Sequence, residues 1–191
     1  PGNDKVYFFK GSKYVRYDIS EGTVDSNYPK LISGSWNGFP AEFQTGIDAA
    51  VAWPTGDKLY FFKKEKYIRY NSGENKVDPG YPKLIKDAWN GLPDSFCNGI
   101  DAAFAWPDGK IYFFKADEYV RYDSNANTMD PGYPKRIRTA WCGFPAEFQK
   151  QIDTAAIYPD VKAYLFSGNM FVRYDIATRC VDKAGFDDCG F

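Results

Sequence analysis

An internal repeat of 52 to 53 residues constrains the fold of this chain more than any other feature of its sequence. One block recurs four times, as KVYFFKGSKYVRYD at 5–18, KLYFFKKEKYIRYN at 58–71, KIYFFKADEYVRYD at 110–123 and KAYLFSGNMFVRYD at 162–175. A second block follows the first three copies and begins with Tyr-Pro-Lys at Tyr28, Tyr81 and Tyr133. Such self-similarity is typical of a structural unit that cannot bury its apolar face alone and must stack on its neighbours.

Each unit begins with the pattern of an antiparallel hairpin. In the second copy, residues 59–62 are an aromatic and aliphatic run, 63–66 are polar, and 67–70 roughly alternate apolar and polar side chains. This order predicts two strands joined by a tight turn. Val77 then begins an outer strand, which must be brief because a Pro-Gly pair follows it.

The rest of the unit predicts a short helix and one more strand. Pro93 stands at a tolerated first helical position, which favours a helical turn over Asp94–Cys97. Residues 100–106 are typical of a buried strand that ends before Pro107. The unit is therefore four strands with a short helix leading to the next unit.

Four-stranded units repeated at this length predict the blades of a β-propeller, because radial packing buries both faces of every sheet. We predict an all-β, four-bladed propeller over residues 1–191 as a single domain. The blades fall at approximately 1–46, 47–99, 100–151 and 152–191. Pro1 aligns with Pro54, so the innermost strand of the first blade is missing from the alignment. We expect either that about seven native residues precede the sequence or that the ring closes in an unusual way.

Histidine is absent from the sequence, and its absence excludes whole classes of chemistry. Zinc proteases with paired histidines, Ser-His-Asp and Cys-His hydrolases and bis-histidine haem sites all need an imidazole. The 24 Lys and Arg residues nearly balance the 25 Asp and Glu residues without long runs of one sign. We therefore expect no nucleic-acid partner and no membrane insertion.

The four cysteines contain no Cys-x-x-Cys pair, so no thiolate zinc site or redox site is predicted. Cys180 and Cys189 lie nine positions apart near the end of the sequence. A disulfide between them would hold the terminus in place and would indicate an oxidising compartment. The alternative is four unpaired, partly buried thiols.

The order of the recurring elements resembles the hemopexin repeat. These elements are an Ile-Asp-Ala-Ala strand, a Tyr-Phe-Phe strand, a Tyr-Val-Arg-Tyr-Asp strand, a Gly-Tyr-Pro-Lys turn and a Trp-x-Gly-Phe-Pro segment. The resemblance covers essentially the whole chain. It implies ligand or partner binding rather than catalysis. The close similarity of the blades to one another favours a free-standing hemopexin-like protein over the appendage of a metalloproteinase.

The resemblance also implies a cation in a central tunnel. Inner strands converge on the axis of a propeller, and small side chains there let backbone carbonyls face one another, as a hard cation requires. The carbonyls implied as ligands of calcium or sodium belong to Asp48, Asp101, Asp153, Ala50, Ala103 and Ala155. The alternative is that the three aspartates only satisfy nearby backbone amides, and the missing inner strand removes a fourth aspartate.

Two sets of repeated residues are expected to support the scaffold. One arginine occupies the same hairpin position in every unit, where its stem would cover aromatic surface and its guanidinium would pair with a carboxylate between blades. These arginines are Arg16, Arg69, Arg121 and Arg173. One tryptophan per unit is expected to wedge between neighbouring blades rather than to bind sugars. These tryptophans are Trp36, Trp89 and Trp141.

The leading functional hypothesis is a secreted or extracellular, non-catalytic module that binds a glycan, as a lectin does, or a protein partner. A basic cluster at Lys135, Arg136 and Arg138 is interpreted as a solvated blade edge, with contact to an acidic glycan or protein as the alternative. Haem or polyamine binding is the second hypothesis, but only Met129 and Met170 offer thioether ligands, so we expect poor haem affinity. A glycosidase using two carboxylates is the third and weakest, because the aspartates that can be placed face a narrow axis.

Overall fold

A computed structural model of the chain describes residues 5–158 and 162–186. Their strands form four separate antiparallel sheets, which are arranged in a ring as a four-bladed β-propeller. The predicted fold class is therefore confirmed. In the described part of the chain, each helix is a single turn, and none has the length or apolar character needed to span a bilayer.

The strands follow the repeat closely. Blade 1 contains β1 (Lys5–Lys10), β2 (Lys13–Asp18), β3 (Thr23–Val24) and β4 (Lys30–Leu31). Blade 2 contains β5 (Ala49–Ala52), β6 (Lys58–Lys63), β7 (Lys66–Asn71), β8 (Lys76–Val77) and β9 (Lys83–Leu84). Blade 3 contains β10 (Ala102–Ala105), β11 (Lys110–Lys115), β12 (Glu118–Asp123), β13 (Thr128–Met129) and β14 (Lys135–Arg136). Blade 4 contains β15 (Thr154–Tyr158), β16 (Lys162–Ser167), β17 (Met170–Asp175) and β18 (Cys180–Phe186).

Short helices connect the blades. They are α1 (Ala41–Gln44), a 3₁₀ turn at Ile85–Asp87, α2 (Asp94–Cys97) and α3 (Ile137–Ala140). The helical turn predicted at Asp94–Cys97 is confirmed, and so is the preceding hairpin, in which Lys63 lies opposite Lys66. The predicted strand at 100–106 is shorter than expected, because only Ala102–Ala105 pairs with β11.

The short strands β4, β9 and β14 were not predicted from the sequence. Each follows directly on a cis Tyr-Pro peptide and pairs with the second strand of its own hairpin. The other strands of each blade pair in chain order, as in β5-β6-β7-β8. The second hairpin strand therefore has one short partner at each end, which leaves little free edge at the rim of the blade.

The hydrophobic core lies between the blades rather than within any one of them. Phe62 of blade 2 packs with Phe113 and Tyr122 of blade 3 in one buried cluster, and equivalent clusters lie between blades 1 and 2 and between blades 3 and 4. Blades 1 and 4 meet through Phe8 and Phe166, whose ring centroids are 5.9 Å apart. This packing is the radial burial that the repeat predicts.

The repeated tryptophans form the wedges that were predicted. The Trp89 ring lies 5.2 Å from the Phe62 ring of its own blade and 5.2 Å from the Phe113 and Tyr122 rings of the next blade. Trp36 and Trp141 make the same kind of contacts at the other two junctions. These edge-to-face and tilted ring contacts stabilise each junction. Their contribution adds to the free energy that comes from burying the apolar surface of the rings.

The predicted disulfide partner of Cys180 is wrong. Cys180 is bonded to Cys142, and Cys189 lies outside the described residues. The reason is that the segment after Trp141 runs beside the last strand, where the backbone N–H of Val181 donates to the Cys142 carbonyl at 3.0 Å. The bond therefore joins blades 3 and 4 instead of closing a local loop. Cys97 is buried and has a free thiol.

Candidate functional site

Three inner strands surround a cavity at the centre of the ring. β10 lies between β5 and β15 and contacts both. Ala50, Ala103 and Ala155, one from each strand, line a common cavity of about 930 Å³, whose remaining side is formed by β1. The structure thus brings together the three alanines that were predicted to lie deeper in the tunnel. Their small side chains leave room along the axis.

The three predicted aspartates come directly before these inner strands, and their carboxylates bind hairpin turns. One carboxylate oxygen of each accepts a hydrogen bond from the backbone N–H of a turn residue in the same blade, and all three turn residues have a positive φ. The pairs are Asp48 with Lys64 at 2.7 Å (φ 51°), Asp101 with Ala116 at 2.8 Å (φ 50°) and Asp153 with Gly168 at 2.7 Å (φ 58°). Each carboxylate therefore stabilises a turn residue in the left-handed backbone conformation, which residues other than glycine rarely adopt.

The carboxylate oxygens therefore accept hydrogen bonds from backbone amides, as the alternative interpretation of these aspartates predicts. Asp101 also accepts from Lys115 Nζ at 2.7 Å, and Asp153 accepts from Gln151 Nε2 at 2.7 Å. In the described ranges, no group of three or more His, Cys, Asp or Glu side chains is arranged to hold a metal ion. A cation on the axis would depend on backbone oxygens, a donor set that suits calcium or sodium. The carbonyls of Asp48, Asp101, Asp153, Ala50, Ala103 and Ala155 stay predicted ligands.

A charged cluster recurs near the outer part of every blade. In blade 3, Lys110 Nζ binds Asp123 at 2.7 Å and Asp130 at 3.1 Å, and Arg121 Nε donates to Asp130. The equivalent arginine pairs are Arg16 with Asp25, Arg69 with Asp78 and Arg173 with Asp182. The expectation that these arginines pair between blades is wrong. Each partner lies nine residues further along the same blade, because the hairpin strand and the outer strand are neighbours there.

Hydrogen bonds lower the pKa of two carboxyl groups in these clusters, those of Asp123 and Asp175. The hydrogen bond from Lys110, with those from the backbone N–H groups of Ala126 and Asn125, lowers the pKa of Asp123 to about 2. Lys162 and two backbone N–H groups do the same for Asp175 and lower its pKa to about 2. A glycosidase needs one carboxyl group whose pKa is raised so that it can act as a general acid. The pKa values of Asp123 and Asp175 are shifted in the opposite direction.

A partly exposed tyrosine ring lies near two cationic side chains in each of the first three blades. In blade 3, the guanidinium carbon of Arg121 is 5.5 Å and Lys135 Nζ is 4.7 Å from the centroid of the Tyr133 ring. We call these groups the tyrosine clusters. They are Arg16–Tyr28–Lys30, Arg69–Tyr81–Lys83 and Arg121–Tyr133–Lys135. The guanidinium groups of these arginines thus lie over aromatic rings, where the sequence predicted that the stems would lie.

The tyrosine clusters were not predicted as a unit from the sequence. A signal was present, because Arg16, Arg69 and Arg121 each precede a Tyr-Pro-Lys segment by twelve positions. The fourth blade lacks this segment. There, Lys183 Nζ lies 5.9 Å from the centroid of the Phe171 ring instead.

The basic cluster of blade 3 is partly neutralised by its surroundings. Arg136 pairs with Asp117 and with Glu118, the latter at 3.6 Å, and Lys135 lies over Tyr133. Both basic residues belong to the two-residue strand β14. This arrangement matches the interpretation of a charged blade edge.

Comparison with known sequences identifies one family. The sequence profile of the family described as Hemopexin matches residues 2–41, 47–94 and 100–146. Matrix metalloproteinase-21 of Xenopus laevis is 33% identical over 178 residues, which cover 87% of this chain and 28% of that protein. Interstitial collagenase of Equus caballus is 35% identical over 180 residues, which cover 92% of this chain and 34% of that protein. The chain spans about a third of the length of these relatives.

Several solved structures share the fold. A plant albumin from Cicer arietinum, described as showing hemagglutination, aligns with a TM-score of 0.84 at 25% identity over 97% of this chain and 89% of that chain. A plant lectin with two metal binding sites, also from Cicer arietinum, aligns with a TM-score of 0.79 at 27% identity over 91% of this chain and 82% of that chain. The hemopexin fold protein CP4 from cow pea aligns with a TM-score of 0.82 at 24% identity over 97% of this chain and 89% of that chain.

Proposed function

This chain belongs to the hemopexin family, and from that premise we propose that it is a non-catalytic, extracellular module that binds glycans as a lectin does. The observation that carries this proposal is the recurrence of one partly exposed tyrosine cluster on three blades of a rigid ring. Equivalent sites at fixed spacing suit a multivalent ligand such as a cell-surface glycan, because linked sites raise avidity without new contacts.

The chemistry of a tyrosine cluster supports a sugar ligand. A sugar ring has an apolar face and a rim of hydroxyl groups, so it needs a flat apolar surface with hydrogen-bonding groups nearby. Tyr133 supplies a ring and a phenol, while Lys135 and Arg121 supply donors and Asp130 supplies acceptors. The likeness to the Cicer arietinum albumin described as showing hemagglutination, at 25% identity, supports the same ligand class.

A structural cation in the central tunnel is the second part of the proposal. It would bind to the backbone carbonyls of the inner strands and hold those strands at a fixed distance from one another. The likeness to a lectin with two metal binding sites, at 27% identity, supports a metal ion in this fold. Calcium and sodium both suit a site made only of oxygen atoms.

An extracellular location is supported by the disulfide between Cys142 and Cys180. Disulfides form and persist in oxidising compartments and are rare in the cytosol.

A protein partner is the alternative ligand, and haem is disfavoured. Met129 packs against the core cluster between blades 2 and 3, and Met170 packs against the cluster between blades 3 and 4. Because both side chains are partly buried against the core, neither thioether is positioned as an open axial ligand. Titration with haemin should leave the Soret band at the position of free haem, and a shifted band would revive haem binding.

A glycan-array screen combined with haemagglutination tests the lectin proposal. We expect binding to at least one glycan and agglutination of erythrocytes by the wild-type protein. Tyr28→Ala, Tyr81→Ala and Tyr133→Ala together should abolish both, whereas Lys86→Ala, an exposed change in the Ile85–Asp87 turn, should leave both unchanged. Failure of the folded wild-type protein to bind any glycan would refute the proposal and would favour a protein partner.

A further inference from the structure

The lysine of each tyrosine cluster differs from the other cations of its blade, because it has no carboxylate partner among the described residues. Lys30, Lys83 and Lys135 are exposed, and each ammonium lies 4.7 to 4.9 Å from the centroid of a tyrosine ring. Within the described ranges, none of the three forms a salt bridge. Each tyrosine cluster therefore presents one positive charge that these ranges do not neutralise.

The arginine of the same cluster is held in a different way. Arg121 Nε donates to Asp130, which also accepts from Lys110 Nζ at 3.1 Å. These ion pairs fix the guanidinium and offset its charge. The ammonium of Lys135 lies near the Tyr133 ring instead. Because an ammonium is a compact charge on a flexible stem, Lys135 can move from the ring toward an incoming anion.

Hydrogen-bond donors also outnumber open acceptors around the cluster of blade 3. Tyr119 lies beside Tyr133, with 5.5 Å between the ring centroids, and burial followed by the effect of Tyr133 raises the pKa of Tyr119. The phenol of Tyr119 is therefore uncharged at neutral pH. Both oxygens of Asp130 already accept a hydrogen bond, one from Lys110 and one from Arg121. A ligand that brings acceptor oxygens and negative charge therefore fits this cluster better than an uncharged one.

The same arrangement recurs in blades 1 and 2. The ring of a second tyrosine lies 5.5 Å from that of Tyr28 and 5.4 Å from that of Tyr81. When the tyrosine cluster is taken together with the charged cluster beside it, each of the three blades has three cations and at most two carboxylates. The cations are Lys5, Arg16 and Lys30 in blade 1, Lys58, Arg69 and Lys83 in blade 2, and Lys110, Arg121 and Lys135 in blade 3. The carboxylates are Asp18 and Asp25, Asp78, and Asp123 and Asp130, respectively.

Blade 4 lacks this arrangement and gives an internal comparison. Lys183 Nζ lies 5.9 Å from the centroid of Phe171, whose ring carries no hydroxyl group. The net charge of the whole sequence is −1, so the chain as a whole does not attract anions. Attraction of an anion therefore depends on the three local clusters.

From these observations we propose that the tyrosine clusters bind anionic sugars, in which a sulfate ester or a carboxylate is attached to the sugar ring. This inference rests on the lectin function proposed above and names its ligand class. In blade 3, the anionic group accepts hydrogen bonds from Lys135 Nζ and the Tyr133 phenol, and the sugar contacts the partly exposed tyrosine ring. Three equivalent clusters on one ring suit a glycan that carries several anionic groups.

A glycan array on which each oligosaccharide is printed in an uncharged, a sulfated and a sialylated form tests the ligand class. The wild-type chain should bind at least one anionic form at least about tenfold more tightly than its uncharged parent, because charge-assisted hydrogen bonds are stronger than neutral ones. Raising the NaCl concentration from about 0.05 to about 0.5 M should weaken that binding at least about tenfold, because salt screens exposed charges.

The array separates this inference from the lectin function. Binding to the sulfated forms alone, or to the sialylated forms alone, would support the inference and identify the anionic group. Uncharged glycans that bind as tightly as their anionic derivatives would overturn the inference and leave the lectin function intact. A folded chain that binds no glycan would refute both.

Variants that remove charge locate the site. The cluster variant keeps the tyrosines and combines Lys30→Gln, Lys83→Gln and Lys135→Gln. The control variant removes the same charge from exposed lysines outside the clusters and combines Lys76→Gln, Lys150→Gln and Lys183→Gln. The cluster variant should bind anionic glycans at least about tenfold more weakly, and the control variant should stay within about twofold of the wild type. Both should keep the denaturation midpoint of the wild type, because all six side chains are exposed.

Equal weakening in the two variants would overturn the proposal, because overall charge rather than the clusters would then set the affinity. Arginine at positions 30, 83 and 135 should restore binding, since it keeps the charge and the donors. A poly-glutamate peptide at the same concentration of anionic groups should not displace a bound sulfated oligosaccharide. Displacement as efficient as that by the free oligosaccharide would overturn the proposal in favour of an acidic protein partner.

Discussion

The junction between blades 2 and 3 and the junction between blades 3 and 4 share one backbone geometry. They differ in the side-chain bond that joins the two blades, which we call the fastening. At the first, Asn90 Nδ2 donates to the carbonyl of Asn127 at 3.1 Å, and the N–H of Met129 donates to the Asn90 carbonyl at 3.0 Å. At the second, the backbone bond recurs between Val181 and Cys142, but a disulfide from Cys142 to Cys180 replaces the side-chain hydrogen bond.

The comparison shows which contacts both junctions share and which contact differs between them. Both junctions keep a tryptophan wedge, Trp89 or Trp141, and the backbone hydrogen bond beside it. The junction between blades 1 and 2 has the asparagine form, with Asn37 Nδ2 donating to the Asn75 carbonyl at 3.0 Å. The wedge and the backbone contact therefore define a junction, and the outer fastening is an independent addition.

Removal of the wedge should have the largest effect and should differ between the two junctions. Trp89→Ala and Trp141→Ala should each cost about 3 to 5 kcal/mol in the free energy of unfolding, because each leaves a cavity among aromatic rings. Trp89→Ala should also separate unfolding into two transitions, since no disulfide between described residues spans that junction. Chemical denaturation followed by circular dichroism and fluorescence measures both effects. Identical single transitions in the two variants would contradict the role given to the disulfide.

Exchange of the fastening should have the next largest effect. The double variant Cys142→Asn/Cys180→Thr copies Asn90 and Thr128 and should fold. It should lose about 2 to 4 kcal/mol of unfolding free energy, since the disulfide closes a loop between residues 38 apart. The measurement is the denaturation midpoint with and without a reductant. The reductant should lower the midpoint of the wild type and leave that of the double variant unchanged, and a double variant as stable as the oxidised wild type would refute the prediction.

The repeat made the fold predictable, because four copies of one pattern report the same unit four times. The hairpins, the helical turn at Asp94–Cys97 and the tryptophan wedges all follow from residue type and position within the unit. Pairings between side chains were less accessible. The partner of Cys180 lies in the neighbouring blade, and proximity in sequence pointed to the wrong cysteine.

The candidate site was predictable only in outline. The alanines of the inner strands could be placed at the axis because the repeat puts them on the innermost strand. The binding of the aspartate carboxylates to hairpin turns depends on the register between the inner strand and the hairpin, which residue patterns do not specify. The partners of the repeated arginines, such as Asp130 for Arg121, depend in the same way on which strand is the neighbour.

Removal of the asparagine fastening should have a smaller effect than loss of the disulfide. Asn90→Ala should cost about 0.5 to 1.5 kcal/mol of unfolding free energy, the usual contribution of one hydrogen bond. Asn37→Ala, at the junction between blades 1 and 2, is the matched variant and should cost a similar amount. Thermal or chemical denaturation measures both. A cost for Asn90→Ala as large as that of the disulfide exchange would mean that the two fastenings are not comparable.

The pH dependence of the charged clusters should give the smallest effect. Asp123 has a pKa of about 2 in the folded chain, below the usual 3.8 of an aspartate side chain, so its stabilising contribution is present above about pH 4 and is lost as the pH falls through about 2. Asp123→Asn copies blade 2, where Asn71 stands at this position. The stability difference between wild type and variant, followed from pH 5 to pH 2, should shrink as the pH falls. A constant difference would exclude this role for Asp123.

The central proposal is that the inner strands hold a cation on the axis of the propeller, at the place where the repeated strands converge. A crystal structure from crystals grown with calcium, measured at a wavelength where calcium scatters anomalously, tests it most directly. We predict an anomalous peak on the axis at about 2.3 to 2.6 Å from backbone carbonyl oxygens of the inner strands, among them those of Ala50, Ala103 and Ala155. A tunnel that contains only water at high resolution, in the presence of calcium and sodium, would contradict it.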